Sequence, residues 1–323
     1  MNKRLKVAVT DYGFPDLHQE EELLRPLGFE FATGQCRTPE EVAALCADAD
    51  AILTQWAPVD ATVIEALQHC RIIVRYGIGV DNVDLEAAAV RGIPVVNVPD
   101  YAVDEVADHA ISLMLASVRK IPQVVADVRA GEWQIAPRRP IYGLRGRTIG
   151  TAGFGNIARA VIQRAQAFGM DAIAYDPYVK DDVFAERGVR RADWATLLAD
   201  SDVLSLHLPL NAETRGAMSQ EAFRSMKPTA YVVNTSRGGI LDAEALAEAL
   251  RDGRIAGAAL DVLEREPIER DHPLLRLDQC LVTSHCAWYS EDSLLRLQQF
   301  AALEIKRLFT GERPRHIVNK VVV

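Results

Sequence analysis

The chain has 323 residues, of which 49% are apolar and 25% charged, a composition typical of a globular protein of about two domains. Its 45 acidic and 36 basic residues give a net charge of −9, which disfavours non-specific binding to nucleic acid. No apolar run approaches the ~18 residues of a membrane span, and the N-terminus does not resemble a secretory signal. The five cysteines form no CxxC pair and no zinc-type cluster, so we expect a cytoplasmic protein without a bound metal.

The chain alternates between short β-rich runs and helical patterns, as parallel sheets covered by helices do. In the first hundred residues, this pattern predicts strands at 7–10, 51–54, 71–75 and 95–98, and helices at 16–27, from 38 onward, at 60–67 and at 84–90. A second series predicts strands at 148–152, 172–175, 203–207, 230–234, 255–260 and 281–284, and helices at 156–168, 242–251 and 290–309. The sequence therefore predicts an α/β fold with two doubly wound parallel-sheet domains.

A long helical pattern over residues 104–119 lies between the two series. Pro122 is expected to interrupt it before a helix resumes at 123–130. The pattern contains more apolar residues than one buried face requires. Two interpretations remain open, a core helix joining two domains and a subunit interface.

A glycine motif, Gly153-Phe154-Gly155-Asn156-Ile157-Ala158, follows a predicted strand and begins a helix. The first glycine permits a tight turn, the second lets the backbone approach a pyrophosphate, and the small Ala158 permits close packing of helix on strand. Asp176 ends the next predicted strand, where a carboxylate binds the adenosine ribose and repels a 2′-phosphate. These features predict an NAD(H) site, whereas the second glycine pair, Gly77 and Gly79, lacks a third small residue.

Three polar residues, Arg237, Glu266 and His285, each follow a predicted strand in the half of the chain that carries the glycine motif. An arginine can bind a carboxylate with two hydrogen bonds, a histidine can protonate a carbonyl oxygen, and a carboxylate beside it can keep it protonated. Hydride transfer between nicotinamide and a 2-oxo acid needs these groups. Because strand ends of a parallel sheet meet at one edge, we expect the three side chains to gather there.

Six further segments, in order along the chain, resemble the D-isomer-specific 2-hydroxyacid dehydrogenases, namely 74–84, 205–210, 226–228, 234–239, 261–267 and 285–290. Arg75 and the segment Ala287-Trp288-Tyr289-Ser290 are similar to the C-terminal binding protein subgroup of that family. Ser284 departs from the proline that the family usually has before the histidine.

The resemblance implies a flavodoxin-like substrate-binding domain made of residues 1–99 and 291–323, and a Rossmann NAD-binding domain at 100–290. It implies a homodimer through the helices near 104–130. It also implies Arg237 as substrate anchor, His285 as proton donor and Glu266 as its partner. The implied cofactor contacts are Ile78, Gly153, Phe154, Gly155, Asn156, Ile157, Ala158, Asp176, Pro177, Leu208, Pro209, Asn211, Thr214, Thr235, Ser236, Arg237, Asp261, His285, Ala287 and Trp288.

The substrate pocket is expected to include residues from the other domain. Arg75 and the N–H groups of Gly77, Ile78 and Gly79 can hold the substrate carboxylate opposite Arg237, and Trp288 can wall the pocket with an apolar face. This favours a 2-oxo acid with an extended, uncharged side chain over glyoxylate or a phosphorylated acid. Alternatively, Arg75 pairs with a surface carboxylate and Trp288 is a core residue.

The leading functional interpretation is an NAD-dependent oxidoreductase that interconverts a small D-2-hydroxy acid and its 2-oxo acid. Two alternatives remain. One is an NAD(H)-sensing interaction protein similar to the corepressors of the C-terminal binding protein subgroup. The other is a 3-phosphoglycerate dehydrogenase.

Overall fold

The computed structural model describes residues 4–323, which divide into two compact units. The first comprises the described part of Met1–Ala102 together with Tyr289–Val323, and the second is Val103–Trp288. Each unit contains one parallel sheet, which confirms the predicted α/β class. Within residues 4–323, no helix has both the length and the apolar character that crossing a bilayer demands.

The sheet of the first unit has five strands, β1 (Leu5–Val9), β2 (Phe29–Thr33), β3 (Ala51–Thr54), β4 (Ile73–Arg75) and β5 (Val95–Val96). All pairs are parallel, in the order β2-β1-β3-β4-β5. This is the flavodoxin-like order, in which ligands bind beyond the carboxyl ends of the strands. The helices of this unit are α1 (His18–Leu24), α2 (Pro39–Cys46), α3 (Ala61–Ala66), α4 (Leu85–Val90) and, from the far end of the chain, α12 (Glu291–Phe309).

The sheet of the second unit has seven strands, β6 (Thr148–Ala152), β7 (Asp171–Tyr175), β8 (Arg190–Arg191), β9 (Val203–Leu206), β10 (Tyr231–Asn234), β11 (Gly257–Leu260) and β12 (Cys280–Val282). Their order, β12-β11-β10-β9-β6-β7-β8, is the Rossmann order with one added strand. Its helices are α5 (Val103–Val118), α6 (Ile121–Arg129), α7 (Asn156–Ala167), α8 (Asp181–Ala185), α9 (Trp194–Asp200), α10 (Gln220–Ser225) and α11 (Ala243–Arg251). Because β10, β11 and β12 are neighbours, the loops that follow them share one edge.

Side-chain caps explain where several helices begin. Thr38 and Glu41 form the capping box at the start of α2, and Asp60 and Asp84 accept N–H groups in the first turns of α3 and α4. Ser290 does the same for α12. Each cap satisfies backbone donors that the helix itself leaves unpaired.

The structure corrects the expectation at Pro122. Helix α5 ends at Val118, Lys120 adopts a left-handed φ of 52°, and Pro122 lies within the first turn of α6. Proline is favourable there because its missing N–H would have no helical partner. The apolar residues of α5 pack against α7, β10 and β11, which accounts for its apolar content within the second unit. The sequence pattern also missed β2 and β8.

Candidate active site

The glycine turn joins β6 to α7. Gly153 has a φ of 97°, and a Cβ there would lie 2.6 Å from the carbonyl oxygen of His207, so only glycine fits. Gly155 caps α7, and no described atom outside its immediate neighbours lies within 4 Å of where its Cβ would be. Gly155 and Asn156 at this end of α7 are exposed, as an anion-binding helix terminus requires.

Asp176 ties the glycine turn to the end of β7. Its Oδ2 accepts the N–H of Phe154 at 2.9 Å, and its Oδ1 accepts the N–H of Tyr178 at 3.0 Å. The Phe154 ring is fully buried and stacks on Phe184 at 4.3 Å, so the side chain predicted as a cofactor contact packs inside the unit. Sequence reasoning missed Arg159, whose Nε donates to the Phe154 carbonyl at 2.8 Å and places a cation beside the turn.

The loop after β9 is closed by its own side chains. Asn211 Oδ1 accepts the N–H groups of Glu213 and Thr214 at 2.9 and 3.0 Å, and the Thr214 hydroxyl donates to the Pro209 carbonyl at 2.5 Å. Asn211 and Thr214 thus shape the turn in which Leu208 and Pro209 lie. Just before it, burial lowers the pKa of His207 to about 4, so this histidine is neutral at pH 7.

Thr235 offers an observation that bears on a cofactor. Its Oγ1 is buried and has no hydrogen-bond partner among the described residues. Buried hydroxyls are nearly always paired, so this one fits a polar ligand at the end of β10. Together with the open terminus of α7, it makes the site suitable for a dinucleotide.

The turn after β10 positions Arg237. The buried Asn234 accepts the N–H and hydroxyl of Ser236 at 3.1 and 2.9 Å and donates to the Arg237 carbonyl at 2.9 Å. A Cβ on Gly238 would lie 1.9 Å from the carbonyl carbon of Leu263. The turn after β10 therefore packs directly on the loop after β11, which carries Glu266.

Glu266 and His285 form a close polar pair. Glu266 Oε2 lies 2.7 Å from His285 Nδ1, and its Oε1 accepts the N–H of Leu263 at 2.8 Å. Burial opposes the charge of Glu266, but the bonds from His285 and Leu263 outweigh it and hold the pKa of this carboxyl below its ordinary value. With Nδ1 engaged, Nε2 is the atom of His285 that remains to exchange a proton with a substrate.

Asp261 holds the loop that carries His285. It is 1% exposed, and its Oδ2 and Oδ1 accept the N–H groups of Ala287 and Cys286 at 2.9 and 3.0 Å. Its backbone carbonyl accepts the N–H of His285 at 2.8 Å. Burial opposes ionisation, yet hydrogen bonds from two side chains and these two N–H groups keep the pKa of Asp261 below its usual value. The Asp261 carboxylate, which was predicted to contact the cofactor, thus also accepts hydrogen bonds from the loop that carries His285.

In the first unit, Arg75 lies at the carboxyl end of β4. Its Nε donates to the Gln55 carbonyl at 3.2 Å, and its guanidinium crosses Gly77, where a Cβ would lie 1.7 Å from Nη1. Buried Asp11 accepts the N–H groups of Gln55 and Trp56 at 3.0 and 2.7 Å. Trp56, two residues after the end of β3 and 51% exposed, is a large apolar side chain at this edge that sequence reasoning missed.

The turn that begins at Gly77 continues through Ile78 and Gly79, both partly exposed. The Ile78 carbonyl accepts the side-chain amide of Asn97 at 2.6 Å, which fixes the turn. In the second unit, Trp288 is partly buried and therefore presents only part of its surface.

Comparison with known proteins identifies the family. The family model of the D-isomer specific 2-hydroxyacid dehydrogenase NAD-binding domain matches residues 111–287. The glyoxylate reductase of Korarchaeum cryptofilum is 40% identical over 85% of this chain and 84% of its own length. The solved structure of a glyoxylate reductase from Paecilomyes thermophila superposes with a TM-score of 0.89 at 28% identity, covering 98% of this chain and 99% of that one.

The D-3-phosphoglycerate dehydrogenase of Archaeoglobus fulgidus is 39% identical over 98% of this chain. The chain spans only 59% of the length of that relative. The matches extend over the glycine turn and over the loops that carry Arg237 and Glu266. The chain therefore belongs to the D-isomer specific 2-hydroxyacid dehydrogenase family and contains the NAD-binding domain of that family.

Proposed function

We propose that the protein is an NAD-dependent dehydrogenase that interconverts a small D-2-hydroxy acid and its 2-oxo acid. The observation that carries this proposal is the 2.7 Å pair of Glu266 and His285, on the loops that follow neighbouring strands β11 and β12. The turn with Arg237 packs on the first of these loops through Gly238. NAD(H), when bound, supplies or accepts the hydride.

In the reduction direction, His285 Nε2 donates a proton to the carbonyl oxygen of the 2-oxo acid. Glu266 stabilises the protonated imidazole through Nδ1–H, and the Arg237 guanidinium binds the substrate carboxylate with two hydrogen bonds. In the oxidation direction, the same Nε2 accepts the proton of the hydroxyl group.

The chain's own groups define the proposed cofactor site. The N–H groups of residues 155–157 bind the pyrophosphate, and the Asp176 carboxylate binds the adenosine ribose and disfavours NADP. The Thr235 hydroxyl and the turn at Leu208 and Pro209 line the same edge of the sheet. The remaining proposed contacts are Ile78, Ala158, Pro177, Asn211, Thr214, Ser236, Asp261, Ala287 and Trp288.

We also propose Arg75 and the turn at 77–79 as substrate-binding groups, and Trp288 as an apolar wall. The position of the Arg75 guanidinium, held at a strand end by Gln55, supports this assignment. Arg75 and Trp288 also support the proposal that the protein belongs to the C-terminal binding protein-like subgroup. On this proposal, the preferred substrate is a 2-oxo acid with an extended, uncharged side chain.

The test is the consumption of NADH with glyoxylate, pyruvate, 4-methyl-2-oxopentanoate and phosphohydroxypyruvate. The proposal expects the highest kcat/KM for the branched acid. A second candidate, 3-phosphoglycerate oxidation, is favoured by the Archaeoglobus fulgidus relative and would give phosphohydroxypyruvate the highest value instead. If none of the four acids is reduced, the enzymatic proposal fails, and an NAD(H)-sensing interaction protein becomes the better interpretation.

A homodimer through the segment near 104–130 is part of the same proposal. Ile121, Val125 and Val128 lie on one face of α6 and are 48%, 41% and 45% exposed, and Trp133 beyond the helix is 84% exposed. Contiguous exposed apolar residues of this kind mark protein interfaces. Val125→Glu should shift the molecular mass in solution to that of one chain, whereas Val90→Glu, at an exposed valine of the first unit, should not.

The five free thiols fit a reducing, cytoplasmic compartment.

A further inference from the structure

A chain of hydrogen bonds joins α5 to the loop that carries His285. His109, on α5, places its Nε2 3.1 Å from the hydroxyl oxygen of Thr283. That hydroxyl lies 2.5 Å from Oδ1 of Asp261. Asp261 in turn accepts the backbone N–H groups of Cys286 and Ala287. His109 is thus connected, through Thr283 and Asp261, to the backbone next to His285, the proposed proton donor.

The chemistry of these groups fixes the direction of the bonds. Asp261 is an ionised carboxylate and can only accept, so the single hydroxyl proton of Thr283 points to Asp261. The proton between His109 and Thr283 must then reside on His109 Nε2, because the Thr283 oxygen has only lone pairs left to offer. The same Nε2 lies 3.5 Å from Asp261 Oδ1. His109 therefore donates a hydrogen bond to Thr283 and holds it in the rotamer whose hydroxyl donates to Asp261.

The loop needs this support because of its backbone conformation. His285 has a φ of 54°, a left-handed conformation that is unfavourable for a residue with a Cβ. Surrounding hydrogen bonds must maintain this conformation, and those from the backbone N–H groups of His285, Cys286 and Ala287 all go to Asp261. If Asp261 loses its side-chain donors, the loop is free to relax and His285 loses its alignment with Glu266.

We infer that His109 is a positioning residue for the proton donor, acting on the backbone turn at His285 through Thr283 and Asp261. This inference rests on the proposed role of His285. His109 does not touch the reacting atoms, so its loss should lower turnover more than substrate binding.

The experiment compares His109→Leu, which removes the donor and keeps the bulk, with His109→Gln, whose amide can still donate to Thr283. In assays with NADH and the best 2-oxo acid of the panel, His109→Leu should lower kcat about tenfold and change KM by less than about twofold. His109→Gln should recover most of the lost kcat. His69→Leu, at an exposed histidine of the first unit, is the matched control. All of these assays contain the chelator EDTA, which keeps a metal ion from binding near His109. This is needed because the possible ligand atoms of His109, Asp261 and Cys286 lie within 4.8 Å of one another.

Thr283→Val provides a second route to the same answer if His109→Leu folds poorly. It should lower kcat by a similar factor, and the double variant should be no worse than either single one, since both interrupt one chain. Equal kcat in wild type and His109→Leu, beside an inactive His285→Ala, would overturn the inference and leave the proposed function intact. Failure of His109→Gln to restore kcat, with equal losses of Tm in both His109 variants, would also overturn it. Full activity in His285→Ala would instead remove the proposed function itself.

Discussion

The Glu266 carboxylate lies 2.7 Å from His285 Nδ1 and is held in place by the N–H of Leu263. The pKa of Glu266 lies below its ordinary value, because its hydrogen bonds outweigh the opposing effect of burial. A carboxyl whose folded-state pKa is lowered stabilises the fold fully above its ordinary pKa of about 4.3, and this contribution is lost as pH falls through the lowered value. The Glu266 carboxylate is therefore ionised at neutral pH and can accept a hydrogen bond from His285 Nδ1 when that nitrogen carries a proton.

Glu266→Gln should change the pH dependence of reduction. The amide has nearly the same shape but no charge, so the protonated imidazole of His285 loses its stabilising partner. We expect the rate of 2-oxo acid reduction to decline at a lower pH in this variant than in wild type, in kcat/KM profiles over about pH 5–9. Glu264→Gln, at the exposed neighbouring carboxylate, is the control. Superimposable profiles for wild type and Glu266→Gln would remove Glu266 from this role.

Asp176 should determine the choice between NAD and NADP. A 2′-phosphate beside this carboxylate meets a like charge and loses a charge-assisted hydrogen bond, so we expect kcat/KM to be about 10–100-fold higher with NADH than with NADPH. Asp176→Asn should narrow this ratio, since the amide keeps an acceptor for the Phe154 N–H but no charge. Equal efficiency of wild type with both cofactors contradicts the assignment.

The two glycines of the turn should respond differently to alanine. Gly153→Ala should destabilise the protein, because φ is positive and the Cβ would meet the His207 carbonyl at 2.6 Å. Gly155→Ala has free space and should keep the wild-type Tm, yet weaken NADH binding, because the methyl group would occupy the approach of the pyrophosphate. Thermal unfolding and NADH fluorescence titration measure the two effects. Unchanged NADH affinity in Gly155→Ala would argue against a pyrophosphate at this turn.

The proposed substrate contacts separate into general and specific ones. Arg75→Ala should raise KM for every 2-oxo acid of the panel, because the carboxylate is common to all. Trp288→Ala should penalise 4-methyl-2-oxopentanoate more than pyruvate, by a factor of about ten, since an apolar contact is lost. A uniform effect of Trp288→Ala on all acids would show that this side chain does not select substrate length.

Local patterns were sufficient to predict much of the site. The glycine turn, Asp176 and the strand ends before Arg237, Glu266 and His285 each have a signature within a few residues, and the parallel sheet brings the strand ends to one edge. Pro122 was misread because proline both ends helices and favours their first turn, and only the left-handed Lys120 decides between the two.

Contacts between distant segments were beyond the reach of the sequence. His109 and Asp261 meet because α5 packs along β11, and no local pattern connects them. The exposure of Trp56 and the placement of Arg159 on the Phe154 carbonyl likewise depend on how separate elements pack. Strand β2 was missed because its Phe-Glu-Phe-Ala-Thr segment follows directly on the turn at Gly28.

The most direct test of the account is the rate and stereochemistry of NADH-dependent reduction in wild type and His285→Ala, with the best 2-oxo acid of the panel. Wild type should form the D-2-hydroxy acid, and His285→Ala should reduce kcat by about 10²–10⁴-fold while retaining the wild-type Tm and NADH affinity. A wild-type rate in His285→Ala, or an L-hydroxy acid as product, would contradict the central claim that His285, held by Glu266, supplies the proton in this family's reaction.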